Sequence, residues 1–221
     1  YVKSEAVEFE ILETGDIQSV TMYNDITTAS FFKVDAETND TIDGAEFEIY
    51  AIDSNNNPVT KMYSWTSTDS EYTITKIPVG KYVLFETKAP NGYVTAEPLY
   101  FEIVETNKEQ FFMIKNTKTT VTLSKMDNAS NILTGAEYAI YDESQFDAEL
   151  NLIENAEPIA NWVSAESAET FRGVASGKYL FVETKAPAGY VTGDPVLVEV
   201  KDINENQMFA FINKPTHVGI Y

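Results

Sequence analysis

Apolar and polar residues alternate along most of this chain with a period of two, in runs of four to eight residues separated by Asn, Gly, Pro and Asp. A period of two is the spacing of side chains on one face of a β-strand. The runs are rich in Val, Ile, Tyr, Phe and Thr, which favour a pleated, half-buried surface. Asp53-Ser-Asn-Asn-Asn-Pro58 and Ala89-Pro-Asn-Gly92 read as turns. One stretch breaks the rhythm: Phe146, Leu150 and Ile153 fall at i, i+4 and i+7. That spacing allows a short helix or an ordered loop over 144–153, ending before Pro158. The rest predicts an all-β fold, a β-sandwich of roughly seven strands per domain.

The pattern also repeats at long range. Tyr82-Val-Leu-Phe-Glu-Thr-Lys-Ala-Pro-Asn-Gly-Tyr93 returns as Tyr179-Leu-Phe-Val-Glu-Thr-Lys-Ala-Pro-Ala-Gly-Tyr190. Phe31-Phe32-Lys33-Val34-Asp35 returns as Leu123-Ser124-Lys125-Met126-Asp127, and Phe112-Met113-Ile114-Lys115-Asn116 as Phe209-Ala210-Phe211-Ile212-Asn213. Lys33 and Lys125 are 92 positions apart; Glu86 and Glu183 are 97 apart, as are Asn116 and Asn213. A period near 95 residues means tandem whole domains rather than solenoid repeats. The complete copies span 26–117 and 118–214. Val7, Phe9 and Ile11 match Leu99, Phe101 and Ile103, so residues 1–25 read as the terminal strands of a preceding, truncated repeat. Residues 215–221 read as the start of a following repeat or a tail. The truncated copy exposes apolar strands, which are expected to cover a neighbouring surface or to pair with another molecule.

Composition narrows the function classes. The 221 residues are 43% hydrophobic and 13% aromatic, enough for packed cores. The formal charge is −20, which repels phosphate backbones and anionic lipid headgroups and argues against nucleic-acid and membrane partners. Cysteine is absent, so disulfides, thiolate metal sites and cysteine nucleophiles are excluded. No run of 18 apolar residues occurs. No ligand spacing surrounds the lone His217. The acidic stretch 142–171 lacks a regular calcium loop and reads as a solvated face. No metal or cofactor is expected.

The chemistry lies where the inward faces should be wholly apolar. Strand parity puts Phe31 with Lys33, Leu84 with Glu86, and Ile114 with Asn116; in the second copy it puts Leu123 with Lys125, Phe181 with Glu183, and Phe211 with Asn213. Burial lowers a lysine pKa and raises a glutamate pKa, so the amine becomes a nucleophile and the acid a proton shuttle. Attack on the Asn carboxamide would expel ammonia and leave an amide, with proximity in the core supplying the effective concentration. The bland alternative is a hydrogen-bonded cluster with no covalent bond. Trp65 and Trp162 read as core residues, and Lys88 and Lys185 as solvated.

The repeated segments resemble the E-box, lysine and asparagine motifs of Cna protein B-type domains, the SpaA-type modules of Gram-positive pilins and adhesins. The resemblance covers the whole chain. It implies tandem Ig-like or prealbumin-like β-sandwich domains. It also implies an intramolecular isopeptide bond Lys33–Asn116 assisted by Glu86 and another, Lys125–Asn213, assisted by Glu183. Asn24 matches the same asparagine, but its partners lie outside the sequence, so it is expected to stay unreacted. The function so implied is a stalk segment of a cell-surface pilin or adhesin, extracellular, with neighbouring repeats as its partners. A host-ligand module, binding a protein or glycan through the 144–158 insertion, is the alternative. A turnover enzyme fits poorly, because the chemistry consumes its own Asn. Neither an LPxTG-like signal nor a Tyr-Pro-Lys-Asn motif occurs.

Overall fold

The computed structural model describes residues 1–217. These form two compact units, one of residues 1–90 and 95–116, the other of residues 91–94 and those from 117 onward.

In the first unit the strands are β1 (Thr28–Asp35), β2 (Glu46–Ile52), β3 (Pro58–Thr66), β4 (Tyr72–Thr75), β5 (Gly80–Lys88), β6 (Leu99–Ile103) and β7 (Gln110–Asn116). They make a three-stranded sheet, β4-β1-β7, and a four-stranded sheet, β3-β2-β5-β6. All pairings are antiparallel except one: β1 and β7, the first and last strands, run parallel side by side. The inner faces meet in a core of Ala29, Phe31, Phe47, Ile49, Leu84 and Ile103 with their neighbours. Phe31 sits at its centre, 5.5 Å from Trp65, 5.4 Å from Phe101 and 5.2 Å from Phe112 between ring centroids. Those separations are favourable for aromatic packing.

The second unit repeats this plan. Its strands are β8 (Thr120–Asp127), β9 (Glu137–Asp142), β10 (Ala160–Val163), β11 (Glu169–Arg172), β12 (Gly177–Lys185), β13 (Val196–Val200) and β14 (Asn206–Asn213). The sheets are β11-β8-β14 and β10-β9-β12-β13, again with first and last strands parallel. Val121, Leu123, Tyr138, Trp162, Phe181 and Phe211 lie in its core. Residues 91–94 belong here through a close backbone approach: Thr119 N–H donates to the Gly92 carbonyl at 3.0 Å. Gly92 has φ of +82°, and a Cβ there would lie 2.4 Å from the Gly173 carbonyl oxygen. Only glycine satisfies both conditions.

Of the two outcomes that the spacing over 144–153 allowed, the structure selects one. No helix forms over 144–153; the alternative, an ordered loop, is what the chain adopts. Asp147 Oδ1 accepts the backbone N–H groups of Glu149 at 3.0 Å and Asn151 at 2.8 Å, Leu150 takes φ of +64°, and Phe146 bridges Leu152. Such an Asx turn diverts the backbone N–H groups that a helix would need. One sequence expectation is corrected: residues 1–24 form no strand. Their counterparts β6 and β7 take ladder bonds from β5 and β1, and the sequence holds no third copy of either partner. Val7, Phe9 and Ile11 accordingly stay exposed rather than covering a surface of the first unit.

Candidate functional site: two buried Lys-Glu-Asn trios

Each trio is assembled from three strands of one sandwich. Lys33 comes from β1, Glu86 from β5 of the facing sheet, and Asn116 from the end of β7. In the parallel β1–β7 ladder Lys33 pairs with Ile114, so Asn116 lies one same-face position further along. All three are buried, at 4%, 7% and 1% relative exposure. The Asn116 amide donates to both Glu86 oxygens at 2.9 Å, and Ala96 N–H donates to Glu86 Oε2 at 2.5 Å. Lys33 Nζ stands 3.7 Å from Glu86 Oε1. Neither Lys33 Nζ nor Asn116 Oδ1 has a hydrogen-bond partner.

Burial dominates the electrostatics. It pulls the Lys33 pKa down to about 8, against the attraction of Glu86. It also pushes Glu86 above the usual carboxylate range, against the hydrogen bond from Ala96, the charge of Lys33 and the Asn116 amide. The two shifts lower the cost of passing a proton from the Lys33 ammonium to the Glu86 carboxylate, a transfer that leaves both groups neutral.

The second trio joins Lys125 of β8, Glu183 of β12 and Asn213 of β14. Asn213 donates to the two Glu183 oxygens at 2.9 and 3.0 Å, and Gly193 N–H donates to Glu183 Oε2 at 2.5 Å. Lys125 Nζ lies 3.2 Å from Glu183 Oε1 and donates to Asn213 Oδ1. It also donates to the Tyr138 hydroxyl at 2.6 Å. Burial lowers the Lys125 pKa, opposed by Glu183.

The structure thus brings together all six residues singled out in the complete copies. Asn24, the seventh, is exposed and belongs to neither cluster. Trp162 is buried, and Trp65 stacks on Tyr72 at 4.6 Å, as core residues do. Lys88 and Lys185 are exposed, near Glu46 at 3.6 Å and Glu137 at 2.6 Å respectively. Exposed pairs of this kind contribute little stability. His217 is exposed too.

Sequence reasoning missed two components, the backbone N–H at Ala96 or Gly193 and the Tyr138 side chain. A fourth repeat carries the second of them: Gly44-Ala-Glu-Phe-Glu-Ile-Tyr50 returns as Gly135-Ala-Glu-Tyr-Ala-Ile-Tyr141, which aligns Phe47 with Tyr138.

Among solved structures, similarity extends to the Bacillus anthracis TIE protein, at 24% identity and a TM-score of 0.49, over 88% of this chain and 35% of that one. A streptococcal ancillary pilin is 18% identical over 94% of this chain and 69% of its own, with a TM-score of 0.42. The shaft pilin spaA from Lactobacillus rhamnosus GG is 14% identical over 89% and 99%, with a TM-score of 0.39. The chain spans about a third of the length of the TIE protein chain. No curated protein sequence matches. All three TM-scores lie below 0.5, so family assignment rests on sequence-family matches. The SpaA prealbumin-like fold domain matches twice, at residues 27–118 and 119–215. With these two matches spanning most of its length, the chain belongs to the SpaA prealbumin-like fold domain family, as two tandem copies.

Proposed function

We propose that this chain is a stalk segment of an extracellular surface protein, a pilin or adhesin, in which each domain closes itself with a Lys–Asn isopeptide bond. The observation that carries the reading is the burial of Lys33, Glu86 and Asn116 together, with the amine and carboxamide on neighbouring first and last strands.

The reaction balances without any cofactor. Lys33 Nζ passes one proton to Glu86, and the neutral amine attacks Asn116 Cγ. Glu86, 2.9 Å from Asn116 Nδ2, returns that proton to the departing nitrogen. Ammonia leaves, the new amide keeps one hydrogen, and Glu86 takes up the proton that the former amine sheds. One amide replaces another, and the step occurs once per domain. Turnover of an added substrate forms no part of this chemistry. Lys125, Glu183 and Asn213 are positioned for the same sequence in the second domain.

The mechanical consequence follows from topology. Tension along the chain enters at β1 and leaves at the end of β7. A Lys33–Asn116 bond would carry that tension between the two strands and leave residues 34–115 outside the loaded path. The neighbouring repeats of the same protein are then the partners through which force is passed on. Pulling the chain by its ends in a single-molecule experiment tests this. Two closed domains should give no unfolding step that releases the 34–115 or 126–212 segment. Release of either segment at forces that unfold ordinary sandwiches would refute the stalk reading.

A further inference from the structure

We propose that Tyr138 is a positioning residue for the second crosslink, its hydroxyl holding Lys125 Nζ against Asn213, a hold that Phe47 does not give Lys33. This inference rests on the isopeptide reading above.

The two sites share one plan, and the comparison between them is internal to the chain. Phe47 pairs with Glu86 across β2–β5, and Tyr138 pairs with Glu183 across β9–β12. Both rings are buried beside the tryptophan of their own core, at 5.0 Å from Trp65 and 5.4 Å from Trp162. The equivalent side chains therefore differ by a single oxygen at the amine. With that oxygen present, Lys125 Nζ meets three acceptors: Tyr138 Oη at 2.6 Å, Glu183 Oε1 at 3.2 Å and Asn213 Oδ1. Three acceptors match the three hydrogens of an ammonium group. Where Phe47 stands instead, Lys33 Nζ has only Glu86, at 3.7 Å, and both the amine and Asn116 Oδ1 lack hydrogen bonds.

A second difference works in the same direction. Gly193 occupies the position of Ala96 in the repeat. A Cβ at 193 would lie 3.3 Å from Asn213 Oδ1 and 3.4 Å from Glu183 Oε2. Its absence leaves the carboxamide oxygen room to meet the lysine that Tyr138 steers.

Tyr138 can keep this role through the reaction. Burial, and then the Glu183 carboxyl, raise its pKa, so the phenol stays protonated and neutral. It accepts one amine hydrogen both before and after Lys125 gives its proton to Glu183. The amine is thereby restricted to fewer orientations at the moment of attack, which is the entropic part of catalysis by proximity.

The test uses the full chain recovered unreacted in denaturant and refolded at neutral pH. Loss of ammonia at each site is followed in time by mass spectrometry of the crosslinked peptides. Tyr138→Phe should slow the Lys125–Asn213 reaction by up to about tenfold, the upper end expected for one hydrogen bond between neutral groups, and leave Lys33–Asn116 unchanged. Phe47→Tyr should speed the Lys33–Asn116 reaction by a similar factor, a gain that a damaged fold cannot imitate. Unchanged rates in both variants, or a faster second site in Tyr138→Phe, would overturn the proposal and leave the crosslinks standing. No ammonia loss at either site of the unaltered chain would remove the crosslinks and this proposal together.

Discussion

Lys33 Nζ and Asn116 Oδ1 are, among the described residues, the buried side-chain polar atoms left without a hydrogen bond, and they lie on adjacent parallel strands. Each unsatisfied buried group costs about 1–3 kcal/mol, more when charged. Hydrogen bonding alone gives no reason for a fold to hold both in one place. Joining Nζ to the carboxamide carbon would remove the buried charge and turn the orphaned amine into an amide nitrogen. The pair reads more naturally as reactants than as a structural cluster.

Glu86→Gln should separate the roles of shape and proton transfer. The side chain keeps its size but no longer takes a proton from Lys33, so the first crosslink should not form, and the intact mass should exceed that of the closed chain by about 17 Da beyond the substitution itself. The bond closes a loop of 83 positions. By analogy with disulfides, its loss should cost the first domain about 4–5 kcal/mol, read from denaturant unfolding. The second domain should keep its crosslink.

The rate of the first crosslink should follow a bell-shaped pH profile. Reaction needs the Lys33–Glu86 pair to hold one proton between the two sites, either as ammonium with carboxylate or as amine with acid. Below the raised pKa of Glu86 both groups are protonated and no free amine can form. Above about 8 the pair loses its last proton, and nothing remains to hand to the leaving nitrogen. Refolding unreacted chain across pH 4–10 and measuring ammonia loss checks both limbs. A rate that climbs steadily beyond pH 9 would show that Glu86 is not the acid.

Gly92 and Gly189 occupy the same place in the two E-box turns, with φ of 82° and 86°. Alanine at either position should cost about 1–2 kcal/mol for the left-handed backbone. At Gly92 the added Cβ also lies 2.4 Å from the Gly173 carbonyl oxygen, whereas nothing lies within 4 Å at Gly189. Thermal unfolding should therefore show Gly92→Ala to be clearly the more damaging of the two.

Phe31→Ala should lower the stability of the first domain by about 3–5 kcal/mol, because it removes a ring in contact with Trp65, Phe101 and Phe112. The measurement belongs in the Glu86→Gln background, where no covalent closure masks reversible unfolding. The matching position in the second domain is Leu123, so Leu123→Ala should cost less, at the lower end of the usual 2–5 kcal/mol for leucine.

Inward strand positions were legible because side-chain parity is fixed by the pleat: Tyr82, Leu84 and Glu86 are buried together. Parity could not bring the three strands together. The resemblance carried that step, and the parallel β1–β7 pairing gives its physical form. The insertion was harder to read, because Phe146, Leu150 and Ile153 satisfy helical spacing without making a helix. Asp147 and Asn151 held the better signal, since Asp53 with Asn57 and Asp127 with Asn131 form the same turn four residues apart. Tyr138 was missed because a tyrosine among core aromatics looks like packing until its hydroxyl is placed beside an amine. Residues 1–24 keep the alternation of strands, but a strand takes its backbone partners from its neighbours.

The central claim is covalent, and the intact mass of the purified chain under denaturing conditions tests it most directly. Two closed domains should leave the chain lighter than its sequence by about 34 Da, one ammonia for each amide formed. A mass equal to that of the sequence would contradict the account and leave the trios as hydrogen-bonded clusters.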